Sequence, residues 1–162
     1  MNMIPRILAA LATTVALTAA AQSTPATNYT DLWWNPSESG WGVSFTQHAG
    51  TNQVFAVWYT YDPRDTGSTG QNTPLWIVMP GGSWTSPTTI TGTVYVANGM
   101  PFNQPGSNLK LSPVGSFTFN FYTSGTGAFS YSIAPPAGLP STDPAYNLPA
   151  MSGTKNIQRQ SF

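Results

Sequence analysis

The sequence predicts an all-β fold, a single antiparallel up-and-down barrel of seven or eight strands, with a two-layer β-sandwich as the alternative. Three observations carry this. Beyond the first twenty or so residues no stretch holds a helical period for three turns, while several runs alternate apolar and polar side chains. Turn residues punctuate those runs at short intervals, as in Ala49-Gly50-Thr51-Asn52, Pro80-Gly81-Gly82 and Asn98-Gly99. The 162 residues include 6 Trp, 7 Tyr and 8 Phe and no cysteine, so an aromatic core must hold the fold without disulfides.

The N-terminus carries one positive charge at Arg6. An uncharged run of apolar and small residues follows from Ile7 to Ala21, ending Ala19-Ala20-Ala21. This is the pattern of a cleavable secretory signal occupying residues 1–21. An uncleaved anchor is the competing reading, but the run is about fifteen residues, short of the roughly twenty needed to span a bilayer. Residues 22–28 read as a flexible leader, and 29–162 as one β domain. The expected location is secreted or periplasmic, with no membrane span after cleavage.

The first strand is expected over residues 40–48, where Trp41, Val43 and Phe45 alternate with smaller or polar side chains. The second, 53–62, is apolar on both sides: Phe55, Val57, Tyr59 and Tyr61 on one, Val54, Ala56 and Trp58 on the other. That pattern predicts a strand covered on both faces. A polar loop over 62–73 leads to a third strand over 74–79. The fourth is expected over 88–97, followed by a loop over 100–108 and a short strand over 109–111.

The clearest hairpin comes next. Phe117, Phe119 and Phe121 alternate with polar residues, as do Phe129, Tyr131 and Ile133. Both aromatic sets must face the core, which predicts Phe121 opposite Phe129, Phe119 opposite Tyr131, and a three-residue loop, Ser124-Gly125-Thr126. Residues 134–150 contain five prolines and exclude regular structure. The last strand, 153–162, carries Ile157 and Arg159 on one face. Its pairing with the first would close the sheet and remove exposed edges.

Charge and residue type exclude several functions. The acids of the domain are Asp31, Glu38, Asp62, Asp65 and Asp143, and the bases are Arg64, Lys110, Lys155 and Arg159. This near-neutral balance without a basic patch argues against nucleic acid as a partner. A single histidine, His48, at a strand end, and no cysteine argue against a zinc site. Asp62-Pro63-Arg64-Asp65 lacks the oxygen spacing of a calcium loop. No cofactor is expected.

The densest segment is Trp33-Trp34-Asn35-Pro36-Ser37-Glu38-Ser39-Gly40-Trp41-Gly42. Its turn signals predict a structured loop leading into the first strand, acting as an aromatic plug at a barrel end or as a rim on which a flat ligand stacks. Arg159 is expected to point inward, and a buried guanidinium needs a carboxylate, Glu38 or Asp62. The segment resembles the opening motif of a domain family of bacterial secreted proteins with no established biochemical activity. In that family the motif is followed by strands like 54–62 and Pro74-Leu75-Trp76-Ile77-Val78-Met79, and the domain closes with a segment like 155–162. The resemblance spans nearly all of 29–162 and implies export and domain limits, not a mechanism. The stretches 66–72 and 134–150 look longer than the usual pattern.

The leading functional expectation is a non-enzymatic binding module for a carbohydrate or cell-envelope component, using Trp33, Trp34, Glu38, Trp41, Trp58 and Arg159. One alternative is a hydrolase built on Glu38 with Asp31 or Asp62. The other is a structural or adhesive module with every tryptophan in the core.

Overall fold

A computed structural model describes residues 23–65, 72–104, 106 and 109–161. The expected signal segment and residues 66–71 of the polar loop lie outside the described residues. Nine strands form: β1 (Asp31–Trp34), β2 (Gly42–Gln47), β3 (Val54–Tyr61), β4 (Pro74–Met79), β5 (Ser83–Ser86), β6 (Thr89–Asn98), β7 (Lys110–Phe121), β8 (Thr126–Ile133) and β9 (Met151–Arg159). No helix occurs among the described residues.

Eight of these strands close an antiparallel barrel, ordered β4-β3-β2-β1-β9-β8-β7-β6 with β4 returning to β6; β5 is an extra strand paired to β6. The sheet closes as expected, but the last strand pairs with β1, read from the sequence as loop, and not with the 40–48 strand. That seam is short, Trp33 opposite Arg159 and Trp34 opposite Gln158. The other seam, β4 to β6, is equally short, Ile77 opposite Val96 and Val78 opposite Tyr95. Closure replaces the two free edges of an open sheet with these two short seams.

Several elements differ from the sequence reading. Residues 31–34 are strand β1 and not the start of a loop. Leu32 and Trp34 point outward here and Trp33 inward, so apolar residues on both faces hide the alternation. Strand β5 resumes after the Pro80-Gly81-Gly82 break. Residues 110–111 and 116–121 belong to one strand, β7, whose register against β6 shifts where Val94 faces Gly115 and Tyr95 faces Pro113. Val114 is the extra residue of that bulge, and it is buried. Gly115 has φ +146°, and a Cβ there would lie 1.9 Å from the Ser132 carbonyl oxygen, so only glycine fits.

The hairpin register is displaced by two residues: Phe119 faces Phe129, and Phe117 faces Tyr131. A shift of two keeps every ring on the core face, which is why periodicity alone cannot fix it. Local chemistry decides it. The Tyr122 N–H donates to the Thr126 carbonyl, and Thr123 Oγ1 accepts from the Gly125 and Thr126 N–H groups. The loop is therefore three residues long but is Thr123-Ser124-Gly125.

The barrel interior is packed with rings. Phe119 is fully buried, with its ring centroid 5.1 Å from Phe45 and 5.0 Å from Phe129. One end is closed by Tyr29, stacked 3.9 Å above Phe121, and by Trp84, whose Nε1 donates to the Asn52 carbonyl at 2.9 Å. Ser23 and Ala26 run beside β5, donating to the carbonyls of Trp84 and Pro87. The proline-rich strap 134–150 forms no strand and crosses the other end, burying Ala145 and Leu148. Arg64 pins it by donating to the carbonyls of Pro144 and Tyr146, both at 2.9 Å.

The outer wall has two characters. Across β6–β9 it is hydroxyl-rich: Thr91, Thr118, Ser130 and Thr154 form one cross-strand row, tied by Thr118–Thr91 and Ser130–Thr154 hydrogen bonds of 3.0 and 2.8 Å. On β1, β3 and β4 it is mainly apolar, with Gly42, Ser44 and Thr46 facing out from β2 between them. The second face of β3, expected to be covered, buries only Val57 and leaves Phe55, Tyr59 and Tyr61 exposed.

Candidate functional site

The open apolar face is set by register. Trp76 on β4 stands opposite Tyr59 on β3, and Tyr59 stands opposite Gly42 on β2. Trp33 faces Val43, so Trp34 falls beside Gly42 on the outer side. One row thus runs across four strands, bulky side chains at both ends and a glycine between. Trp34 is 38% exposed, Tyr59 41% and Trp76 62%; Leu32, Phe55 and Tyr61 add exposed apolar surface nearby. Large apolar side chains gathered on one face of a folded domain mark a binding surface.

Tyr59 divides this face into two depressions. One, about 390 Å³, is floored by Gly42 and Val43 and walled by Leu32, Trp34, Tyr59 and Gln160. The other, about 280 Å³, lies between Trp41, Tyr59, Tyr61 and Trp76, with Gly40 and Thr60 beneath. The Tyr59 and Trp76 rings meet at 5.9 Å and 81°, forming a corner. Two larger hollows, about 480 and 490 Å³, flank the Pro80-Gly81-Gly82 kink. One is lined largely by glycine, threonine and serine with Tyr95, the other by Thr46, His48, Gln53, Val54 and Phe55 beside the same glycines, and neither has paired ring faces.

Of the residues singled out from the sequence, Trp34 alone is an exposed part of this row. Trp33 is 1% exposed, donates from Nε1 to the Tyr29 carbonyl at 3.0 Å and packs against Phe121. Trp58 is buried among Phe117, Phe129 and Tyr131, and its Nε1 has no hydrogen-bond partner. Trp41 is half-buried, its ring 6.2 Å from Phe129, and borders the second depression.

Glu38 belongs to the brace of the loop that joins β1 to β2. Asn35 starts the turn, accepting the Ser37 N–H on Oδ1 and the Glu38 N–H on its carbonyl. Glu38 accepts from Asn35 Nδ2, Trp41 Nε1 and, at 2.7 Å, Lys155 Nζ. Its partners are therefore side chains from its own loop and β9. The Lys155 ammonium holds the Glu38 carboxyl below its ordinary range. Arg159 pairs with Asp31 at 3.3 Å, and not with Glu38 or Asp62. Asp62 takes Arg64 at 2.6 Å, which also lowers its proton affinity. The motif thus fixes a loop that seats Trp41 and closes a seam. Among the described residues no group of three His, Cys, Asp or Glu is placed to hold a metal ion.

Tyr59, Trp76, Tyr61 and Gly42 were not among the candidate residues. Their signal was in the sequence: β3 is apolar on both sides, and a strand of that kind is either covered twice or open on a binding face. No protein family, curated protein or solved structure matches the chain.

Proposed function

We propose that this chain is an exported, non-enzymatic module that binds an uncharged carbohydrate on the outer face of β1–β4. One observation carries the reading: Trp34, Tyr59 and Trp76 present ring faces and edges to solvent in a single cross-strand row, around glycine-floored depressions. A sugar ring has an apolar C–H face and a polar rim. It stacks on such rings while its hydroxyls reach side-chain amides and hydroxyls at the border, here Gln160 and Thr60. No charged side chain lines either depression.

The alternatives fare less well. Hydrolysis by two carboxylates requires one held protonated near neutral pH. Asp31, Glu38 and Asp62 are each paired with a cation, and the pairing lowers the proton affinity of Glu38 and Asp62. A purely structural role with all tryptophans in the core fits poorly with Trp34 and Trp76 at 38% and 62% exposure. A lipid-embedded barrel carries apolar residues outward all round, whereas β6–β9 present Thr, Ser and Asn.

Tryptophan fluorescence tests the reading. An aqueous quencher is expected to reach Trp34 and Trp76, and a bound neutral glycan is expected to shield both. If no member of a broad neutral-glycan panel alters emission or quenching, the reading fails.

A further inference from the structure

The two depressions on either side of Tyr59 say more about the ligand than that it is a sugar. We infer, on the basis of the carbohydrate reading above, that the face takes a soluble, uncharged glycan chain long enough to cross Tyr59, with separate ring sites on its two sides.

The geometry leads there in three steps. The Trp34 side and the Trp76 side are distinct concavities with Tyr59 as their only shared wall residue. A single ring occupies one of them, so a ligand that uses both must be at least two or three units long and must run across the strands, along the row Trp76–Tyr59–Gly42–Trp34. Adjacent strands are about 4.8 Å apart, so the span from β4 to β1 is about 14 Å, the reach of a short oligosaccharide and beyond that of a monosaccharide.

The second step concerns shape. Tyr59 and Trp76 are perpendicular, 81° apart. Coplanar rings would make a platform for the flat face of an insoluble, crystalline polysaccharide. A right-angled corner instead touches one ring on its face and its edge, which a free chain permits and a crystal face does not.

The third step is charge. No charged side chain lines either depression, and Lys155, Arg159 and Arg64 are already engaged with Glu38, Asp31 and Asp62. Nothing on the face compensates a uronate or phosphate, so anionic chains lose to neutral ones.

Gly42 gives the decisive variant. Its backbone is ordinary strand, and an added Cβ meets only the Trp33 carbonyl oxygen, at 3.5 Å, a normal contact. Gly42→Val is therefore accepted by β2 and fills the Trp34 side alone. The measurement is calorimetric titration of the full domain with neutral gluco-, manno-, xylo- and N-acetylglucosamine oligosaccharides of one to six units. Oligogalacturonate serves as the anionic comparator, and crystalline cellulose and chitin as insoluble ones. For the wild type, affinity for the preferred series is expected to rise about tenfold between one unit and the length that crosses Tyr59, then to level off. Gly42→Val, and Trp34→Ser as a second variant on the same side, are expected to abolish that rise while keeping the short-chain affinity. Trp76→Ser is expected to weaken every length. Binding that is independent of length, a rise unaffected by both Trp34-side variants, preference for oligogalacturonate, or retention on crystalline material without soluble binding overturns the inference while leaving a carbohydrate site in place. Absence of binding to every neutral series overturns the carbohydrate reading and this inference with it.

Discussion

Trp33 and Arg159 face each other across the β1–β9 seam, with the guanidinium carbon 5.2 Å from the centre of the indole. The same guanidinium donates to Asp31 and to the Asn28 carbonyl, each at 3.3 Å. One side chain therefore covers a core tryptophan and ties the start of the barrel to its end. The Arg159 side chain is 30% exposed, so its contribution is modest. Arg159→Ala is expected to cost about 1 kcal/mol through the lost cation–π contact and ion pair, lowering the melting temperature by a few degrees. Arg159→Lys should restore only part of this, because an ammonium does not lie flat over the ring. An unchanged melting curve for Arg159→Ala would show that the seam holds without it.

Core and face residues should separate cleanly in stability measurements. Phe119 sits among four other phenylalanines, and Phe119→Ala leaves a cavity that the packed rings cannot fill. The expected loss is about 3–5 kcal/mol, a large share of a typical domain's stability. Trp76→Ser removes a larger side chain from the surface, and the expected change is within about 0.5 kcal/mol. Urea unfolding of the two variants checks the contrast. A Trp76→Ser loss rivalling that of Phe119→Ala would mean that Trp76 is a packing residue.

Acid sensitivity follows from three carboxylates. The Lys155 hydrogen bond lowers Glu38, the Arg64 hydrogen bond lowers Asp62, and the Ser112 hydroxyl lowers Asp143. For a depressed folded-state pKa, the unfolded chain takes up the proton first as pH falls. The stabilisation is complete above the ordinary values, 4.5 for Glu and 3.8 for Asp, and is lost as pH drops through the lower folded values. Lys155 is raised, so its share is complete below its ordinary 10.5 and is lost only as pH climbs above that. Melting temperature is therefore expected to be flat across neutral pH and to fall below about pH 4.5. Glu38→Gln should lower the plateau and reduce the acid limb. An acid limb identical to wild type would remove Glu38 from this account.

Arg64 offers a test of the strap. It grips Asp62 with Nε and Nη2 while Nη1 holds two carbonyls of the proline-rich segment. Arg64→Ala is expected to raise the rate of limited proteolysis within residues 134–150 several-fold while the barrel strands stay resistant. Arg64→Lys should give little rescue, since one ammonium cannot reproduce the fork. Equal cleavage rates would show that buried Ala145 and Leu148 hold the strap by themselves.

Alternation of side chains carried most of the fold. It located β2, β3, β4, β6 and β8, and it foresaw a closed sheet, although β9 closes on β1 and not on the 40–48 strand. It could not supply what depends on two residues more or less. The β7–β8 register turned on Thr123 and Gly125, and the bulge at Val114 on the backbone of Gly115. Short β1 and β5 were hidden because four residues hold too little pattern. The site was less legible. The tryptophan-rich motif drew attention to Trp33, Glu38 and Arg159, which brace and seal. Tyr59 and Trp76 lie in ordinary strands, and only pairing of β3 with β4 brings them side by side.

The ring of strands has a temporal consequence. Strand β9 lies between β8 and β1, so the segment that completes the wall is synthesised after all the strands it joins. Until it arrives, β1 and β8 each offer a bare row of amides and carbonyls. A nascent chain, or one truncated before Met151, therefore stays sticky and open.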